Sequence, residues 1–170
     1  DVVTWGDLGQ KGALAGKTVS AFGRNSASGT YGYFKEVALK NGDFKDTVKE
    51  QPGSSSVVQG IAADVGAIGY SGIGYATSGV RALPLSSDES GNFVEANYAN
   101  CLNGTYPLSR YLYVYVNKAP SKPMDKLTSE FVTFVLSKQG QEIVIKDGYF
   151  PLPSEVADEG RASLKYYSAE

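Results

Sequence analysis

The chain has 170 residues, 42% hydrophobic and 20% charged, a globular composition long enough for one compact domain or two small lobes. Sixteen basic against eighteen acidic residues leave a net charge of −2, without the basic excess on which counterion-release binding to DNA or RNA rests. The absence of histidine excludes Ser-His-Asp and Cys-His catalysis, HExxH zinc sites and any imidazole general base.

Residues 17–22 read as a short strand, followed by a Gly- and Ser-rich turn over 23–29. A helix to about Lys40 comes next, with Tyr31, Phe34 and Ala38 at i, i+3 and i+7 and Asn41-Gly42 as its stop. Residues 45–51 form a weak strand candidate. Pro52-Gly53 then turns the chain into Ser54-Ser55-Ser56, any of which suits a helix cap, and a helix to about Asp64 follows with Val57, Val58, Ile61 and Val65 as its buried stripe. Residues 65–70 are short and apolar between glycines and read as a buried strand. Residues 81–85 form a further strand candidate, 86–92 a polar surface turn, and 93–103 a short helix ending near Asn103-Gly104. Asn103-Gly104-Thr105 also matches the glycosylation sequon, but a turn is the preferred reading. The single cysteine, Cys101, forms no internal disulfide and reads as a small buried apolar side chain.

Residues 111–117 alternate tyrosines with branched residues and read as the clearest strand of the chain. The apolar strip within it is far shorter than the ~20 residues that span a bilayer. After a linker at 121–123, Leu127, Phe131, Phe134, Val135 and Leu136 define an amphipathic helix from about Asp125 to Ser137, which continues or restarts over 139–146. Residues 148–153 forbid regular structure, and 154–170 suit either a terminal helix or a frayed end. Alternating strands and helices predict an α/β architecture with a mixed, largely parallel sheet flanked by helices. The chain starts at Asp1 without a basic or apolar leader, as a mature or trimmed chain does.

The densest polar constellation is Arg24-Asn25-Ser26-Ala27-Ser28-Gly29-Thr30, between the first strand and the first helix. The first N–H groups of a helix have no internal acceptor and lie at the positive end of the macrodipole, so a tetrahedral oxyanion finds several donors there. Ser28 and Thr30 add hydroxyls, Gly29 permits close approach to the backbone, and Arg24 adds a planar fork for two oxygens. The plainer alternative is an ordinary serine cap beside a solvated arginine. No GxxxxGK[ST] segment is present, and 69–79 does not fit GxGxxG spacing. Ser54–Ser56 form a second donor cluster for which capping is the preferred reading. Tyr111, Tyr113 and Tyr115 share one strand face, where packing is the default. Asp64, Asp88, Glu89 and Glu95 show no spacing for a metal cage or an acid/base pair.

Arg24-x-x-x-Ser28-Gly29-Thr30 with Tyr31 and Phe34, then Gly66-Ala67-Ile68-Gly69-Tyr70, Tyr106-Pro107-Leu108-Ser109-Arg110, Gly140-Gln141 and Gly148-Tyr149 follow one another along nearly the whole chain. In that order they resemble the PstS family, the phosphate-binding proteins of bacterial phosphate ABC transporters. The resemblance implies a type II periplasmic-binding-protein fold, two α/β lobes closing over one dehydrated phosphate, with Arg24, Ser28, Gly29 and Thr30 matching the phosphate-contacting segment of the second lobe. Residues 1–105 would then be that ligand-binding lobe, and 106–170 the hinge strand and returning helices of the first. The N-terminal part of the first lobe, which in the family supplies Thr, Phe and Ser ligands and a proton-accepting Asp, would be missing. Half a site is expected to bind weakly and to discriminate phosphate from sulfate poorly.

The resemblance further implies non-covalent binding of inorganic phosphate without catalysis or cofactor and delivery to a membrane permease. It places the protein in the periplasm or another extracytoplasmic space, free or lipid-anchored. A competing reading is a phosphate-receptor scaffold reused as a surface interaction or adhesion module, with the tyrosines as contact surface. An enzyme acting on phosphate esters would need a metal or base that the sequence does not offer.

Overall fold

Strand β1 (Ser20–Arg24) runs parallel between β2 (Lys49–Gln51) and β3 (Ala67–Gly69), in the order β2-β1-β3. The register pairs Arg24 with Gln51 and Phe22 with Gly69, so the carboxyl ends of all three strands lie along one edge. The computed structural model describes residues 2–120 and 122–165. They divide into two units, Asp1–Ser109 and Arg110–Glu170. The three named strands are wholly parallel, and the antiparallel pairings among the described residues are the isolated bridges Thr4–Thr18 and Leu85–Val94.

Helix α1 (Gly29–Val37) starts where Ser28, in extended conformation, accepts the Thr30 N–H on its hydroxyl at 3.1 Å. It ends before the expected Lys40, because Lys40 and Asn41 take left-handed φ values of 50° and 65° and reverse the chain. Helix α2 (Ser54–Ala63) buries Val57 and Val58 against the sheet. Gly60 allows that approach, since a Cβ there would lie 2.4 Å from the Phe22 ring. Val65 does not belong to the buried stripe: it is 76% exposed, because the helix ends at Ala63 and Asp64 is already extended. Asp64 instead accepts the Gly66 N–H at 2.9 Å and fixes the turn into β3. The N-terminal segment is tied to the same turn by Trp5, whose indole N–H donates to the Gly66 carbonyl at 2.9 Å.

Beyond β3 the first unit is built mainly of loops. The strand expected over 81–85 is reduced to the Leu85–Val94 bridge. The helix expected over 93–103 is the five-residue α3 (Tyr98–Leu102), capped by Asn97 on the Asn100 N–H at 3.0 Å. Asn103 accepts the Thr105 N–H and hydroxyl at 3.0 and 2.7 Å, a local turn. Cys101 is only partly buried, because a helix this short has no fully covered face.

In the second unit, residues 111–117 do not form the expected strand. A strand requires a neighbour to take its backbone groups, and among the described residues none pairs with this segment. Leu112, Tyr113, Val114 and Tyr115 are therefore all exposed, whichever side they face. Helix α4 (Lys126–Val135) is capped by Asp125, and α5 (Lys138–Lys146) by Ser137, so the chain restarts rather than continues its helix. The apolar stripe of α4 is open, with Leu127 81% exposed and Phe131 and Phe134 about half exposed. Gln141 donates to the Val135 carbonyl at 2.8 Å and accepts the Leu152 N–H at 2.7 Å, holding the 148–153 segment to α5. The terminal-helix alternative holds through α6 (Ser154–Lys165), where Arg161 donates to the Leu136 carbonyl; residues 166–170 of that expectation lie outside the described residues.

Candidate functional site

Arg24 is the last residue of β1, and the chain reaches the first residue of α1 five positions later. The intervening turn closes with the Ser28 N–H on the Asn25 carbonyl at 3.1 Å. Ser28 is the cap, Gly29 the first helical residue and Thr30 the second. Ser28 uses an oxygen lone pair for the Thr30 N–H and keeps its hydroxyl proton to donate. Gly29 is exposed, whereas Ser28 and Thr30 are partly buried. Neither α1 nor α2 has an acidic residue in its first turn, so no side-chain charge there offsets the positive helix ends.

The Arg24 side chain is held by the loop leading into α2. Its Nη1 donates to the Ser54 hydroxyl at 2.8 Å and its Nη2 to the Pro52 carbonyl at 3.3 Å, while the buried Nε–H has no acceptor among the described residues. A guanidinium at a helix N-terminus sits against the unfavourable end of the dipole. A cation, a helix N-terminus and an orphaned buried donor together describe an environment completed by an anion with several acceptor oxygens.

Ser54 corrects its own sequence reading. Gly53 occupies the cap position without a side-chain bond, and Ser54 is the first helical residue, only 8% exposed, with its hydroxyl turned to Arg24. Its carbonyl accepts the Ser71 hydroxyl at 3.3 Å. Tyr70 is the other residue that sequence reasoning did not place in the site. Its phenol oxygen accepts the Arg24 backbone N–H at 3.1 Å, and its ring stacks on Phe34 at 4.2 Å between centroids. Burial pushes the Tyr70 phenol pKa up, against the lowering effect of that N–H. The signal for both was parallel strand order: once β2 and β3 flank β1, the residues just beyond their ends must surround Arg24.

An open depression beside Arg24 is lined by Tyr31, Phe44, Lys45 and Val48, and also by Asp43, Asp46 and Glu50. Three carboxylates repel an anion, and Ser28, Gly29 and Thr30 do not line this depression. The Ser28, Gly29 and Thr30 donors lie instead at the start of α1, just beyond the end of β1. Among the described residues, no group of three metal-ligating side chains comes together, and Asp64 and Asp88 serve local turns.

Residues 1–139 match the family model of the PBP superfamily domain. The chain belongs to the PBP superfamily. Within it, the chain is 61% identical over 164 residues to the phosphate-binding protein PstS of Pseudomonas aeruginosa, covering 96% of this chain and 51% of the relative. This PBP superfamily chain thus spans about half the length of the curated relatives it matches. Solved structures share its fold, two of them with the following similarity to this chain. One, from Planctomyces limnophilus, is described as "a possible phosphate binding protein"; it aligns with a TM-score of 0.70 at 29% identity, covering 99% of this chain and 60% of that one. The other, the phosphate-binding protein of a phosphate ABC transporter from Streptococcus pneumoniae, aligns with a TM-score of 0.59 at 30% identity over 79% of this chain and 51% of that one. The type II binding-protein architecture, with helices flanking a parallel sheet, is the fold of this chain.

Proposed function

We propose that the protein is a substrate receptor of a phosphate ABC import system, binding inorganic phosphate non-covalently through Arg24, Ser28, Gly29 and Thr30. The observation that carries this is the Arg24 guanidinium, whose acceptors among the described residues are neutral groups at the start of α2, at the strand end that leads into the capped start of α1. The resemblance to receptors whose names state phosphate binding supports it. Phosphate oxygens would accept from the Arg24 fork, from the first N–H groups of α1 and from the hydroxyls of Ser28 and Thr30. No bond is made or broken, so the protein acts without catalysis.

In this reading residues 1–105 form the phosphate-binding lobe, 106–170 belong to the opposite lobe, and lobe closure on phosphate is what the membrane permease recognises. The protein acts in the periplasm or another extracytoplasmic space. The segment that completes the opposite lobe in full-length relatives would add the remaining donors and the discrimination against sulfate.

Calorimetric titration with phosphate, and with sulfate as control, tests this on the chain itself and on the chain extended by the remaining half of the P. aeruginosa relative. The extended protein is expected to bind phosphate selectively and far more tightly than the chain alone, and Arg24→Ala is expected to abolish that binding. An Arg24→Ala protein with undiminished phosphate affinity, or an extended protein that binds neither anion, overturns the reading.

A further inference from the structure

The hydrogen bond from Arg24 Nη1 to Ser54 Oγ reaches across 30 positions of sequence, from the end of β1 to the first turn of α2. Ser54 is 8% exposed and gives α2 no cap, since it lies inside the helix and the cap position is Gly53. A buried serine at a first helical position does nothing for the helix that alanine would not do. Its hydroxyl instead accepts from one terminal nitrogen of a guanidinium, and the Pro52 carbonyl accepts from the other.

Both acceptors are neutral. Among the described residues the ion pairs are Lys35–Asp43 and Arg161–Asp158, neither of which involves Arg24. A carboxylate in place of either acceptor would grip the fork harder, yet it would cancel the charge that an incoming anion needs. An apolar residue would leave the charge but release a side chain with many rotamers, whose ordering then counts against binding.

We propose that Ser54 is a positioning residue for the anion site: its hydroxyl fixes the Arg24 guanidinium in place without neutralising it. The proposal rests on the phosphate-binding reading above and assigns it a residue outside the Arg24–Thr30 segment.

The test compares Ser54→Ala, Ser54→Thr and Ser54→Asp with the unsubstituted protein, using the chain and its extended form. Phosphate affinity comes from calorimetry, and the rotation rate of the Arg24 guanidinium from side-chain 15N NMR, with far-UV circular dichroism and a urea midpoint to establish that each variant is folded. Ser54→Ala is expected to weaken phosphate binding about tenfold, in line with the loss of one hydrogen bond to a charged group, and to speed guanidinium rotation. Ser54→Thr should restore both. Ser54→Asp should slow the rotation further while weakening phosphate binding by about a hundredfold or more, since a fixed carboxylate repels the ligand as well as neutralising Arg24. This opposite movement of rotation and affinity is what a merely structural serine would not produce.

Equal rotation rates in the unsubstituted and Ser54→Ala proteins overturn the proposal, as does full affinity in Ser54→Asp. If Arg24→Ala still abolishes binding in either case, the phosphate reading stands without Ser54. Absence of phosphate binding in the unsubstituted extended protein overturns both.

Discussion

The Tyr70 phenol oxygen accepts the Arg24 backbone N–H at 3.1 Å, so the residue after β3 fixes the last residue of β1. The same ring lies nearly parallel to Phe34 of α1, 4.2 Å away between centroids with a 9° interplanar angle. One side chain thereby sets both the strand end and the helix that follows it. Tyr70→Phe keeps the stack and removes the acceptor. It is expected to cost about 1 kcal/mol of stability, the usual worth of one partly buried hydrogen bond, measured from urea unfolding, together with a several-fold loss of phosphate affinity.

Burial raises the phenol pKa of Tyr70 and of Tyr106. A phenol whose pKa is higher in the folded state than in the unfolded one contributes stability that is complete below the ordinary tyrosine range and is lost as pH rises through the elevated value. An ultraviolet titration should therefore show a phenolate component lagging the ordinary tyrosine range. In Tyr70→Phe the lagging amplitude should be smaller than in the unsubstituted protein.

Arg24→Lys preserves the charge but not the fork. Lysine offers a compact point charge that cannot donate to Ser54 and Pro52 together and still present a pair of parallel donors to an oxyanion. Phosphate affinity is expected to fall by at least an order of magnitude, each charge-assisted bond contributing about 1.5–3 kcal/mol. Calorimetry beside Arg24→Ala checks whether any of the loss is recovered by charge alone.

Gly60→Val places branched carbon where even a Cβ would meet the Phe22 ring at 2.4 Å. Either the ring moves or α2 lifts off β1, and overpacking of this kind costs about 1–3 kcal/mol. A lowered urea midpoint with an unchanged slope is the expected result, accompanied by weaker phosphate binding because α2 carries Ser54.

Asp64 is held below the ordinary carboxylate pKa, first by the Ser20 hydroxyl and then by the Gly66 N–H. A pKa lower in the folded state contributes stability above the unfolded value of 3.8, lost as pH falls through the folded value. Asp64→Asn should consequently flatten the stability profile below about pH 4, with little change in the alkaline limb. Denaturation midpoints from pH 2 to 7 provide the comparison.

Local chemistry could be read directly from the residues. Ser28 before Gly29-Thr30 is a cap because an extended serine can reach an N–H two residues ahead, and the structure places it there. Val57 and Val58 were legible as core from helical spacing, whereas Val65 was not legible as exposed, since periodicity carries no information about where the helix stops. Residues 111–117 have the composition of a strand, yet none of the described residues pairs with them, and pairing is a condition no composition contains. The resemblance of the ordered motifs to phosphate receptors agrees with the family to which the chain belongs.

By itself, then, the sequence determined features whose partners lie within one turn of chain: the Ser28 cap, the apolar helix faces, and the Arg24–Thr30 constellation at a strand-to-helix junction. Only the tertiary structure decided that Arg24 would be held by Pro52 and Ser54 on one side and Tyr70 on the other. Those residues lie 28 to 46 positions away along the chain. They meet because parallel pairing in the order β2-β1-β3 aligns three carboxyl ends at one edge, where the backbone leaves each strand and polar side chains must find partners from neighbouring strands.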